Sequence, residues 1–208
     1  MNRWLALSVL LGAAGLTLLG IAVTVPAGEV GPSFRSAPPI VATPPVPIKA
    51  PAGRPPAVVR SAPVELSIPA IGVDTRLSSL GLRPDGTVEV PTSYHEAGWY
   101  RFGPSPGQAG NAVVLGHIDS VSGRGVFFEL RALHRGNLIR VSLADGRRVV
   151  FAVRSMATYT KATFPARQIY AGNGPSTLEL VTCAGTFDHT THHYLSNLVV
   201  SASLVSIH

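Results

Sequence analysis

From position 64 onward the chain is a succession of short apolar runs separated by turn-forming residues, a pattern that leaves little room for long helices. The runs occupy 64–68, 87–90, 112–115, 138–143, 148–155, 177–182 and 197–205. Several alternate apolar with polar residues, the period-two signature of a strand with two different faces. Pro84-Asp85-Gly86 and Ala144-Asp145-Gly146 supply turns between them, and Asp145-Gly146 between two alternating runs is a strong hairpin signal. Helical spacing is visible only over 126–134, and that stretch is short. Many short strands joined by regular turns predict an all-β sandwich or barrel.

The 208 residues divide by composition into three parts. Residues 4–25 contain no ionisable side chain and are rich in Leu, Ala, Val and Gly. As a helix they would extend about 33 Å, enough to cross a bilayer's hydrocarbon core. Arg3 precedes this stretch and the next Arg or Lys is Arg35, so the basic end is expected to stay in the cytoplasm with the rest of the chain outside. A cleaved signal peptide is the competing reading, with small residues flanking Pro26, but the apolar run exceeds the roughly 7 to 15 residues of a signal core. Residues 26–63 hold 11 of the 18 prolines and are expected to be an extended linker, about 3.1 Å per residue. Residues 64–208 are of single-domain size. The expected organisation is thus an anchor over 1–25, a proline-rich linker over 26–63 and a folded head over 64–208. The net charge of +6 is scattered and carries no basic run interleaved with aromatics, which argues against a nucleic-acid partner. It suits a position beside an anionic membrane or wall polymer.

The single cysteine, Cys183, ends the alternating run Leu178-Glu179-Leu180-Val181-Thr182-Cys183 and is followed by Ala184-Gly185. Two readings stand on these residues alone: a buried thiol acting as a small hydrophobe, and a nucleophile at the mouth of a strand. In an exported protein a lone thiol has no intramolecular disulfide partner, which makes a free reactive group worth considering. A second stretch, Gly110 to Ser120, ends its apolar strand in Gly116-His117. An unperturbed thiol, pKa about 8.5, is only a few per cent thiolate at neutral pH. A neighbouring imidazole would hold the thiolate as an ion pair and then protonate a leaving amine. Asp119 is read either as orienting that ring or as capping its loop. His189, His192 and His193 beside Asp188 are read as loop histidines rather than metal ligands, and no cofactor is implied. Trp99, Tyr100 and Phe102 are read as core packing or as the floor of a groove.

Taken in order, Gly98-Trp99-Tyr100, Pro106-Gly107, Gly110 to Val113, Gly116 to Ser120, Gly125 to Phe128, Phe164-Pro165, Leu178 to Cys183, Phe187-Asp188 and His193-Tyr194 with Asn197 resemble the sortase family, and within it class F. The resemblance covers nearly all of the head. It implies a closed barrel of about eight strands with short helices, and a two-step cysteine transpeptidation with Cys183 as nucleophile and His117 as acid and base. The implied substrates are proteins carrying a C-terminal sorting signal of Leu-Pro-x-Thr-Gly type. The implied acceptor is an amine such as that of a peptidoglycan cross-bridge, and the product is a wall-attached protein. The implied location is the cell membrane, spanned once, with the catalytic domain extracellular.

One departure stands out. Sortases place an arginine near the start of the last strand, where it steadies the substrate carbonyl; here that segment reads Leu195-Ser196-Asn197, and no arginine follows Arg167. Three explanations stand: Asn197 supplies a neutral donor, an arginine such as Arg124 or Arg101 reaches in from elsewhere, or the barrel is weakly active or merely binds wall peptides. Thr182, beside the thiol, is a further candidate for substrate support under the same resemblance.

Overall fold

The computed structural model describes residues 58–208. The anchor expected over 1–25 and the linker up to residue 57 lie outside the described residues. The strands are β1 (Pro63–Ile68), β2 (Val73–Leu80), β3 (Ala97–Tyr100), β4 (Asn111–Gly116), β5 (Asp119–Ser120), β6 (Gly123–Arg124), β7 (Leu138–Leu143), β8 (Arg148–Thr160), β9 (Thr177–Asp188) and β10 (His193–Ile207), with one short helix, α1 (Ala166–Tyr170). Eight of them close a barrel in the order β1-β2-β3-β4-β9-β10-β8-β7, and β7 pairs back onto β1. β5 and β6 form a separate two-stranded ribbon directly after β4. The all-β, eight-stranded closed barrel is the expected architecture.

Strand parity explains the core. Leu66 and Ile68, Ile139 and Val141, Val149 and Phe151, Leu178 and Leu180, and Val200 and Ala202 are alternate residues of five strands, and all ten are fully buried in one cluster. Burial of each of these side chains other than Ala202 contributes about 1.5–3 kcal/mol before entropy is counted. The stretch with helical spacing is a 3₁₀ turn at Leu130–Ala132; Phe127, Leu130 and Leu133, three apart, enter the same core. Three-residue spacing suits the 3.0 residues per turn of that geometry.

β4 and the first half of β9 are parallel, and both are buried on both faces. Their outward residues Val113, Leu115 and Val181 join Leu80, Val199 and Ile169 of α1 in a second cluster, edged by Tyr100, Phe164 and Tyr170. A strand covered on both sides reads as a continuous apolar run, which is how 112–115 reads in sequence, whereas 178–182 is interrupted by Glu179 and Thr182.

Two expectations change. The run 87–90 forms no strand; Val88 makes an isolated bridge to Leu82 in an open segment. β2 and β3, which no apolar run announced, pair in parallel with each other. Val58 to Ala62, ahead of β1, are fastened to the barrel. The Arg60 guanidinium donates to the carbonyls of Gly103, at 2.8 Å, and Arg101, and lies over the Trp99 ring, 4.9 Å from its centroid. The side chains of Gln108 and Arg147 donate to the carbonyls of Val58, at 3.0 Å, and Val59, at 2.6 Å.

Candidate active site

The register of the central strands aligns the candidate residues. β4 and β9 run parallel with Val113 opposite Glu179 and Leu115 opposite Val181. Continuing that register by two residues sets His117 opposite Cys183. On the other side of β9, antiparallel β10 sets Asn197 directly opposite Cys183. Leu115, Val181 and Val199 all belong to the outer cluster; Cys183 and Asn197, each two residues away on its strand, share that outer face, and His117, directly after the end of β4, lines the same cleft. The three form a row across adjacent strands with the thiol in the middle.

They line one cleft of about 790 Å³. Its walls are Leu82, Val88, Val90 and Pro91 on one side, and Phe164 and Tyr170 of the β8–β9 crossover on the other. Cys183 is a free, half-exposed thiol. Thr182 also lines the cleft; it is 3% exposed, and its Oγ1 is buried with no hydrogen-bond partner. A buried hydroxyl without a partner is uncommon, and this one lies beside the nucleophile candidate.

His117 is held by its surroundings. Its Nε2 lies 2.7 Å from the carbonyl oxygen of Pro91. A carbonyl only accepts, so Nε2 carries the proton and the neutral ring presents Nδ1 as its basic atom. The Tyr94 ring packs against the imidazole with centroids 4.5 Å apart. The backbone is fixed as well: Phe127 N donates to His117 O at 2.9 Å and Gly125 N to Ile118 O at 2.9 Å. Gly125 backs directly onto the histidine, since a Cβ there would lie 2.5 Å from His117 O.

Asp119 does not orient the ring. Its Oδ2 accepts a hydrogen bond from the Tyr194 hydroxyl at the start of β10. That carboxylate, together with burial, pushes the Tyr194 phenol up to about 12, and the neighbouring Cys183 adds to the shift.

The arginine alternatives separate cleanly. Arg124 is ion-paired to Glu129 at 3.0 Å and stacked over Phe128 at 4.4 Å. Arg101 lies over Phe102 and beside Gly81. Neither lines the cleft. The cations that do are Arg83, Lys161 and Arg167, which sequence reasoning passed over; all are exposed. Nothing in a linear pattern marked them, because the loop before β3 and the β8–β9 crossover meet the cleft only in three dimensions. The aromatic trio is divided too: Trp99 is buried and donates to Pro104 O at 3.1 Å, Tyr100 lines the cleft, and Phe102 is exposed. His189 and His192 pack around Phe187 in the β9–β10 hairpin, with ring centroids 5.1 and 6.5 Å away.

The sortase domain family model matches residues 66–205. No curated protein sequence matches the chain. Among solved structures the chain resembles sortase C1 from Streptococcus agalactiae at 21% identity and a TM-score of 0.54, covering 69% of this chain and 67% of that one. It also resembles sortase A from Listeria monocytogenes at 14% identity and a TM-score of 0.54, covering 72% of this chain and 90% of the other. The group B Streptococcus pilus island 1 sortase C2 aligns at 18% identity and a TM-score of 0.52, over 69% of this chain and 73% of its own. At these identities the structural likeness speaks for the fold, whereas the family match spans most of the chain and every strand that carries a candidate residue. The chain belongs to the sortase family.

Proposed function

We propose that this protein is a membrane-anchored cysteine transpeptidase of the class F branch, acting on proteins with a C-terminal sorting signal of Leu-Pro-x-Thr-Gly type and attaching them to a cell-wall amine. The observation that carries the reading is the row of His117, Cys183 and Asn197 across β4, β9 and β10 within one cleft. The Cys183 thiol passes its proton to Nδ1 of His117, and the thiolate attacks the carbonyl carbon of the scissile Thr-Gly bond. The oxyanion so formed takes a hydrogen bond from the side-chain amide of Asn197, the residue paired with Cys183 on β10. Protonated His117 gives a proton to the departing glycine amine, the C–N bond breaks and a thioester remains on Cys183. An incoming amine then attacks the thioester, His117 removes its proton, and the thiolate leaves. Apolar walls on both sides of the cleft keep water from competing for the thioester.

The absence of an arginine from β10 favours a second reading, a weakly active or non-catalytic barrel that binds wall peptides. Full-length protein in detergent, mixed with a sorting-signal peptide and an amine, separates the two. Mass spectrometry is expected to find a peptide thioester on Cys183 and a transfer product, both lost in Cys183→Ala. Asn197→Ala is expected to lower kcat by about 10- to 100-fold with KM little changed, as for removal of one preorganised oxyanion donor. Peptide binding without thioester or product supports the binder. Transfer that persists in Cys183→Ala refutes the thiol mechanism.

A further inference from the structure

The chemistry above makes no use of Asp119 and Tyr194, yet their hydrogen bond joins the two halves of the site. Asp119 opens β5, two residues beyond His117; Tyr194 lies near the start of β10, three residues before Asn197. The Tyr194 hydroxyl donates to Asp119 Oδ2 across 75 positions of sequence. Each partner is fixed on its own side. Asp119 is in register with Arg124 in the β5–β6 ribbon, and the Arg124 side chain is engaged elsewhere, with Glu129. The Tyr194 ring packs edge-on against Phe187, its cross-strand partner in β9, with centroids 5.1 Å apart. Immediately after Tyr194 the β9–β10 register shifts before Ser196 pairs with Ala184. The tyrosine is therefore placed by a local irregularity of the hairpin that carries Cys183. Among the described residues this is the one hydrogen bond between the ribbon that follows His117 and the hairpin that follows Cys183. The Asp119 carboxylate holds the phenol above its ordinary pKa, which keeps it a donor at neutral pH.

We propose that Tyr194 and Asp119 form a clasp that sets the spacing of His117 and Cys183, which makes both of them positioning residues. The inference rests on the transpeptidase reading, because spacing matters only if imidazole and thiol exchange a proton. Small displacements of reacting groups cost rate steeply, and two residues acting through one bond are not additive.

The test compares full-length wild type, Tyr194→Phe, Asp119→Ala and the double variant in detergent. Three quantities are read: kcat and KM for peptide transfer, the rate of Cys183 alkylation by iodoacetamide as a function of pH, and the thermal midpoint. Tyr194→Phe keeps the ring against Phe187 and deletes only the hydroxyl, so its thermal midpoint is expected to stay close to that of the wild type. Each single variant is expected to lower kcat about ten-fold with KM little changed, and to displace the alkylation profile. The double variant is expected to be no worse than the more affected single. Wild-type kcat and an unmoved alkylation profile in both singles would overturn the clasp, and so would losses that multiply in the double. Alkylation requires no turnover, so a wild type that makes no thioester refutes the transpeptidase reading while the profiles still judge the clasp.

Discussion

His117 illustrates how much of a candidate residue's setting is fixed by its neighbours. The Pro91 carbonyl fixes its tautomer, Tyr94 packs against its face, and Gly125 gives its backbone room. Gly125 occupies an ordinary backbone conformation, so its role is the close approach rather than conformational freedom. In Gly125→Ala the new methyl would meet the His117 carbonyl carbon and oxygen at 2.8 and 2.5 Å, and neither is the end of a flexible side chain. The loop has to shift, at a cost of about 1–3 kcal/mol by analogy with overpacked sites. Gly125→Ala is expected to lower the thermal midpoint modestly and transfer activity much more; an unchanged kcat would show that the loop tolerates the shift. The identities of Cys183 and His117 as candidates were legible from the ends of two apolar runs. The Pro91 contact was not, since no periodicity links positions 26 residues apart.

At the scale of elements, β9 is the strand on which the site depends, and it carries an anomaly. Glu179 is 4% exposed on the face that also bears Val181 and Cys183, with its Oε2 accepting from Ser201 Oγ at 2.6 Å. Burial raises its carboxyl above the usual glutamate value, against the opposing pulls of the Ser201 hydrogen bond and the Arg154 charge. A raised value means that the folded chain holds this proton more tightly than the unfolded chain. The resulting stabilisation is complete below the ordinary glutamate value and is lost as pH rises through the raised one. Glu179→Gln is therefore expected to melt higher than wild type at neutral pH, with the advantage fading on acidification through the glutamate range. A denaturation series across pH checks this, and an advantage that grows in acid would contradict it. The other element worth testing is the segment ahead of β1. Arg60 combines two carbonyl acceptors with the Trp99 face, although its exposure keeps the gain small. Arg60→Ala is expected to cost about 1 kcal/mol in chemical denaturation. Strand positions were readable where runs were apolar on both faces, as in β4, or alternated cleanly, as in β7. β2 was missed because its inward face includes Thr75 between Val73 and Leu77. β3 was missed because four residues, one of them glycine, form no pattern.

For the whole molecule, the proposed arrangement is a barrel held away from a bilayer by a proline-rich stalk. If residues 4–25 anchor the chain, full-length protein is expected in the membrane fraction and resistant to carbonate washing, while a chain lacking residues 1–25 is expected in the soluble fraction. Release of the full-length chain by carbonate would point instead to the cleaved-signal alternative. On the barrel itself, Arg83, Lys161 and Arg167 gather at the cleft from segments 78 to 84 residues apart, at the extremes, in the chain. The basic character of that rim is a property of the closed barrel and of no local sequence.

By itself the sequence determined the class of fold, the compositional division of the chain, and which residues are candidates for chemistry, because period-two patterning, proline content and side-chain chemistry are local properties. Only the tertiary structure decided that His117 and Asn197 flank Cys183 on one face, that Arg124 and Arg101 stay out of the cleft, and that Asp119 answers to Tyr194 and not to the imidazole. The physical reason is register. Which residues meet across a barrel depends on how its strands align, and that alignment is set by the packing of the entire core rather than by any one segment.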